Sequence, residues 1–207
     1  MIRIPATKTN LFKAKRTLSL CKEGHQLLDE KRKILLMEIS RMTEQVETLE
    51  KDVLDTLVSA YKAVGRAIFA IGKTQFESFA TGVNIKTELT MVEKKLMGVR
   101  IPSISLQLKE NLPFFSPVGG HYYIDEAIVL MKQAIQSITE LAEKKTALIR
   151  LEREFQKTTK KVNALEKIHI PYYGEVVRFI SDRLDEESRE AFATLKEIKK
   201  KLASRGV

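Results

Sequence analysis

The chain has 207 residues, of which 43% are apolar and 30% charged, with nine glycines, five prolines and no tryptophan. The apolar and charged shares exclude a disordered chain, and scarce glycine and proline among abundant Lys, Glu, Leu and Ala point to long helices. A formal charge of +9 favours acidic partners, one cysteine (Cys21) excludes an intrachain disulfide, and no apolar run approaches the roughly 18 residues of a membrane span.

From about Thr9 to Gly72 there is no proline. Apolar residues recur there at alternating spacings of three and four. One seam position holds Leu11, Leu18, His25, Arg32, Ile39, Val46 and Val53; the other holds Ala14, Cys21, Leu28, Leu35, Met42 and Leu49. A sustained 3.5-residue repeat predicts a left-handed coiled coil. After Val53 the large apolar residues slip through Leu57 and Tyr61 before resuming at Val64, Ile68 and Ile71, which reads as an inserted four. His25 and Arg32 are polar residues in the seam, where such residues set register at some loss of stability.

The middle breaks this pattern. Val83, Ile85, Thr87, Leu89 and Met91 alternate with polar neighbours, the spacing of a strand. A second run, from Met97 to Leu106, is expected to pair with it across Glu93-Lys94-Lys95. Leu112-Pro-Phe-Phe-Ser-Pro-Val-Gly-Gly then reads as a loop. A second long helix is expected from about Asp125 to Ala203, with a seam beginning at Ile128, Met131, Ile135 and Ile138. That seam continues through Leu141, Leu148, Leu151, Phe155, Val162 and Leu165, with the register between Ile138 and Leu148 left open. It ends on Val176, Phe179, Ile180, Leu184, Phe192, Leu195, Ile198 and Leu202. Pro171, with Gly174 nearby, is expected to kink or end this helix.

The expected fold class is therefore mainly α: a long antiparallel two-helix coiled coil with a small β-hairpin region at the bend. Residues 1–72 form the N-terminal helix, 73–121 the middle segment and 122–207 the C-terminal helix of one elongated domain. A bundle of shorter helices is the competing architecture.

Motifs for chemistry are sparse. Gly72-Lys73-Thr74 is like the end of a phosphate-binding loop, but the position five residues earlier is Ala67, within a helix and not after a strand. Direct nucleotide binding is not expected. His25, His121 and His169 have no ligand spacing between them, so neither a metal nor another cofactor is implied. No nucleophile–base arrangement emerges, and Asp182, Asp185, Glu186 and Glu187 read as a solvated face. Basic residues outnumber acidic ones nine to three over residues 1–33, and Lys196, Lys199, Lys200, Lys201 and Arg205 crowd the other terminus. An antiparallel fold is expected to bring these two basic ends together. No aromatics interleave with the terminal lysines, which argues against a nucleic acid partner.

Several blocks resemble one family. Pro5-Ala-Thr-Lys-Thr-Asn-Leu-Phe-Lys-Ala-Lys-Arg-Thr-Leu, followed by Gly24-His-Gln-Leu-Leu-Asp-Glu-Lys-Arg, is similar to the central-stalk D subunit of V-type and A-type rotary ATPases. Met97-Gly-Val-Arg-Ile-Pro102, Val162-Asn-Ala-Leu-Glu166 with Ile170-Pro171, and Glu187-Ser-Arg-Glu-Ala-Phe-Ala-Thr-Leu-Lys-Glu-Ile-Lys199 agree with it in the same order. Tyr172-Tyr173 departs from the Arg-Leu-type residues often found there. The resemblance implies a non-catalytic central rotor shaft that couples ATP turnover in an A/B hexamer to rotation of a membrane ring and ion transport. It implies the A, B and F subunits and the cap of the membrane ring as partners. The location implied is cytoplasmic, with membrane association only through the complex. Lys13, Lys15, Arg16, Lys196, Lys199 and Lys200 are then candidate partner contacts. A cytosolic coiled-coil adaptor or tether with a basic tip is the alternative reading of the same residues.

Overall fold

The computed structural model describes residues 4–83, 85–110, 114 and 121–205, with the side chains of 110 and 202–205 left out. Helix α1 runs Lys8–Ile71, α2 Lys73–Gly82 and α3 Tyr122–Ala164, and α4 runs Ile170–Arg205. Strands β1 (Ile85–Leu96) and β2 (Val99–Glu110) form an antiparallel hairpin. The fold is mainly α, with a small hairpin between the first and last long helical segments, as the periodicities predicted. Apart from Phe114, the loop expected at Leu112–Gly120 lies outside the described residues. The chain divides into two compact units, Met1–Lys33 with Gln156–Val207, and Ile34–Phe155.

In the first unit, Thr7 opens α1. Its Oγ1 accepts the Asn10 backbone N–H at 3.2 Å, satisfying one of the donors a helix start leaves unpaired. Ala14 packs with Val176 and Ile180 of α4, and Ile4, Ala6, Leu11, Val177 and Leu184 close around them. Val162 and Thr158 of α3 are also buried here.

Pro171 does not end the last helix. A π-helical turn, Leu165–His169, precedes it, closed by the Ile170 N–H donating to the Leu165 carbonyl, one residue wider than an α-turn. Pro171 therefore falls in the first turn of α4, where a missing N–H leaves no α-helical bond unmade.

In the second unit, Leu35 and Met42 of α1 meet Ala147 and Leu151 of α3. Glu50 pairs with Lys145, and Arg66 with Glu126 at 2.7 Å, so the two helices run antiparallel. Farther along, the buried residues are mostly alanines: Ala60, Ala63 and Ala67 of α1, and Ala127 and Ala134 of α3, together with Ile124. These alanines correct two expectations. The heptad of α1 carries on through Ala60, Ala63 and Ala67 with no inserted four, and Tyr61 is 65% exposed. In α3 the seam runs through Ala127 and Ala134, leaving Ile135 and Ile138 substantially exposed. Small side chains let two helix backbones approach closely, whereas large ones at those positions would overpack the contact.

The hairpin turn also differs from expectation. Glu93, Lys94 and Lys95 are strand residues paired with Pro102, Ile101 and Arg100. The turn is Met97-Gly98, with φ of 52° and 80°, and two central residues of positive φ define the type I′ turn that suits the twist of paired strands. The turn end of the hairpin faces the helices: Leu96 of β1 and Val99 and Ile101 of β2 pack on the Leu35–Leu151 cluster. Glu143 Oε2 accepts the Ile104 N–H at 2.6 Å, and Arg150 donates to the Arg100 carbonyl at 2.8 Å. Helix α2, which the sequence reading did not foresee, follows Gly72, whose φ of 83° breaks α1.

Leu151→Ala should lower unfolding free energy by about 2–5 kcal/mol through the cavity it leaves. Ala60→Leu should cost about 1–3 kcal/mol by overpacking. Urea titrations followed by circular dichroism measure both; a neutral Ala60→Leu would contradict a close alanine contact.

Candidate partner interface

Among the described residues sixteen apolar side chains are buried, and many large ones are not. Phe12, Leu20 and Leu27 are exposed on α1 in the first unit. In the same unit, every residue of α4 from 185 to 201 is exposed. Phe192, Leu195 and Ile198, which the sequence reading placed in the seam, therefore face outward, at 71%, 64% and 47% exposure. The reason is register. Within this unit the start of α1 packs at the level of Val176 and Ile180, short of the exposed end of α4. Contiguous exposed apolar residues on a helix face mark a surface built for another molecule.

The six basic residues singled out from the sequence fall into two groups. Lys13, Lys15 and Arg16 are exposed on the first turns of α1; Lys13 borders a groove of about 170 Å³ with Tyr173 and Val176. Lys196 and Lys199 flank Phe192 and Leu195 around a groove of about 340 Å³, and Lys200 is exposed beside them. The fold does not bring the groups together. Val176 and Lys196 are separated by 20 residues of helix, which is about 30 Å at 1.5 Å per residue. The basic charge is thus spread along this unit and not gathered into one tip.

His25 and Arg32 are half-buried at their seam positions. The His25 Nε2 is buried with no hydrogen-bond partner among the described residues. Arg32 forms an ion pair with Asp29 one turn earlier, and Lys33 Nζ reaches the other oxygen of that carboxylate at 2.9 Å. The Lys33 hydrogen bond, aided by the charges of Arg32, Lys33 and His25, holds the Asp29 carboxyl below its usual range against the opposing effect of burial.

A second exposed surface lies at the α2 end of the second unit. Phe69, 94% exposed, borders a groove of about 780 Å³ with Arg66, Tyr123, Glu126 and Leu130. Arg66 lies over the Tyr123 ring at 6.0 Å while paired to Glu126. Sequence reasoning missed this surface because Phe69 is indistinguishable by type from the apolar residues beside it. It also missed the Glu143 and Arg150 clamps on β2, since polar residues spaced by seven on α3 carry no signal of their target.

Among the described residues no group of His, Cys, Asp and Glu could hold a metal ion, and no helix is long and apolar enough to cross a membrane. The fold and its exposed faces define a helical protein whose surface is made for assembly with other chains. The family model of the ATP synthase D subunit matches residues 10–200. Similar chains include the V-type ATP synthase D subunit of Thermotoga neapolitana, 29% identical over 97% of this chain and 98% of that one. The A-type ATP synthase D subunit of Pyrococcus furiosus is 31% identical over 99% of this chain and 97% of that one, and that of Methanopyrus kandleri 33% over 93% and 84%. The chain belongs to the ATP synthase D subunit family.

Replacing His25 with Leu removes a buried nitrogen without a partner and fills a seam position. It should raise unfolding free energy by about 1–2 kcal/mol, read from thermal melts. Because the Asp29 pKa is lowered in the fold, its contribution is present above the ordinary carboxylate range and lost as pH falls through the lowered value. Asp29→Asn should therefore flatten the stability–pH profile below about pH 4, and an unchanged acid limb would exclude this ion pair.

Proposed function

We propose that this chain is the central-stalk rotor of a V/A-type ATPase, linking ATP turnover in the A/B hexamer to rotation of a membrane ring and to ion transport. It carries no catalytic group of its own. Its partners in this reading are the A, B and F subunits and the cap of the membrane ring, and it meets the membrane only through them, on the cytoplasmic side. The observation that carries the reading is the exposed apolar end of α4. Phe192, Leu195 and Ile198 form an apolar strip rimmed by Lys196 and Lys199, on a helix end exposed throughout residues 185–201.

The physics of such a role follows from these residues. Burying each exposed aliphatic or aromatic side chain against a partner is worth roughly 1.5–3 kcal/mol. A rotor must favour different conformations in otherwise equivalent partners, which requires contacts that differ from one partner to the next. Long lysine side chains on one helix face can release one acidic partner and engage another as the helix turns. Lys13, Lys15 and Arg16 offer the same chemistry on α1. His25 and Arg32 set the register of the seam, so that these contacts fall at defined heights.

Phe192→Ala with Leu195→Ala should leave thermal stability of the free chain nearly unchanged, since both side chains are exposed. The same pair should weaken copurification with coexpressed A, B and F subunits by at least about tenfold. Lys196, Lys199 and Lys200 changed together to Glu should reduce coupled ATP hydrolysis and rotation. Unchanged assembly, hydrolysis and rotation in both variants would sink the reading and leave a coiled-coil adaptor in its place.

A further inference from the structure

The hairpin is held at its turn end. Leu96, Val99 and Ile101 pack against the cluster that Leu35 and Met42 of α1 form with Ala147 and Leu151 of α3, and Pro102 is buried. Toward its root the hairpin stands off α3, where Ile104 and Leu106 face Gln136, Thr139, Glu140 and Lys144 across a groove of about 450 Å³. Two charged side chains of α3 grip the strand between these stretches. Glu143 accepts the Ile104 N–H at 2.6 Å; Arg150 donates to the Arg100 carbonyl at 2.8 Å and lies 3.7 Å from Glu93 of β1. The spacings match. Glu143 and Arg150 are two turns apart on one face of α3, about 10.5 Å, and their targets are four residues apart on one edge of β2, about 13 Å. Alternation in the antiparallel ladder turns the backbone groups of Arg100, Pro102 and Ile104 away from β1. Pro102, between the two bonds, has no N–H that would need a third. A carboxylate meets the donor and a guanidinium the acceptor, so both bonds are charge-assisted.

We propose that Glu143 and Arg150 are positioning residues, a latch that fixes the hairpin at one angle on the α1–α3 stem. Apolar contacts at the turn end hold the hairpin close but are non-directional, so they leave the strands free to roll about their long axis. Hydrogen bonds to two points of one strand edge remove that freedom, because each requires a narrow donor–acceptor geometry. Arg150 reaches both strands through Glu93, so the ladder turns with the latch and not past it. The consequence for function rests on the rotor reading above. Two bare helices present two similar lobes, nearly the same after half a turn. A rotor has to mark its orientation by contacts that differ from one partner to the next. The hairpin adds bulk to one side of the stem, and it marks an orientation only while its angle is fixed.

Hydrogen exchange of the free full-length chain, read residue by residue by NMR, tests the latch apart from the rotor reading. Glu143→Ala should speed exchange of the Ile104 amide by at least about tenfold. The Ser103 and Ser105 amides, which the alternation turns toward β1, should keep their rates, whereas a general loosening of the hairpin would speed all three. Glu143→Gln keeps an acceptor oxygen and should restore the protection of Ile104. Spin labels on Lys94→Cys and Glu152→Cys, in a Cys21→Ser background, should give a narrow distance distribution that broadens when Glu143→Ala and Arg150→Ala are combined. In complexes coexpressed with the A, B and F subunits, that double variant should lower kcat for ATP by at least about threefold with KM unchanged, and Glu143→Gln should not. An Ile104 amide indifferent to Glu143→Ala, a distribution that stays narrow, or a released hairpin with unaltered kcat would each overturn the proposal. A wild-type chain that assembles with none of these subunits would remove the rotor reading instead, and the exchange rates and label distances would then decide the latch alone.

Discussion

Within each unit, order depends on side chains at 3.5-residue spacing buried between antiparallel helices. Where most of those side chains are large, as with Leu35, Met42 and Leu151 beside Ala147, the hairpin packs against them with Leu96, Val99 and Ile101. Farther along α1 and α3 the buried residues are mostly alanines, and α2 borders them, its Phe76 and Ala80 lining a groove with Ile124 and Ala127. One repeat therefore supports two kinds of contact, and the volume of the residue at each step decides which.

Features that look like defects in the sequence are accommodated by local changes in hydrogen bonding. The π-helical turn widens the ladder by one residue just before Pro171, so the proline enters a fresh first turn. Gly72 and the Met97-Gly98 pair supply the positive φ values that break α1 and fold the hairpin. The hairpin is then held by side chains of α3, whose Glu143 and Arg150 serve backbone groups of β2 that a two-stranded sheet leaves unpaired. The protein closes one sheet edge by a proline and two helix side chains and leaves the other open.

Exposed apolar surface is the second constraint. Phe192, Leu195 and Ile198 have the sequence character of a seam, and Phe69 that of a core residue, yet all are exposed. Retaining such residues at exposed positions carries an aggregation cost, which membership of a multi-subunit family makes intelligible. The basic residues follow the same arrangement: Lys13, Lys15 and Arg16 sit at one level of the first unit, Lys196, Lys199 and Lys200 about 30 Å along α4 from the helix contact.

Two long helical segments, the hairpin between them, the seam of α1 from Leu11 to Val53 and the family itself were legible in the residues alone, because hydrophobic period and glycine and proline placement are local properties. Residue type alone could not tell which apolar periodic residues are covered. Ala60 and Ala67 are buried where Tyr61 and Phe69 are not, and Leu184 is partly covered where Phe192 is not. Coverage depends on how far a partner helix extends and in what register, and both are set by contacts between residues more than a hundred positions apart, such as Ala14 with Val176. Period determined what each helix could bury; only the tertiary pairing decided what it did bury, because burial requires a second surface that the local sequence does not contain.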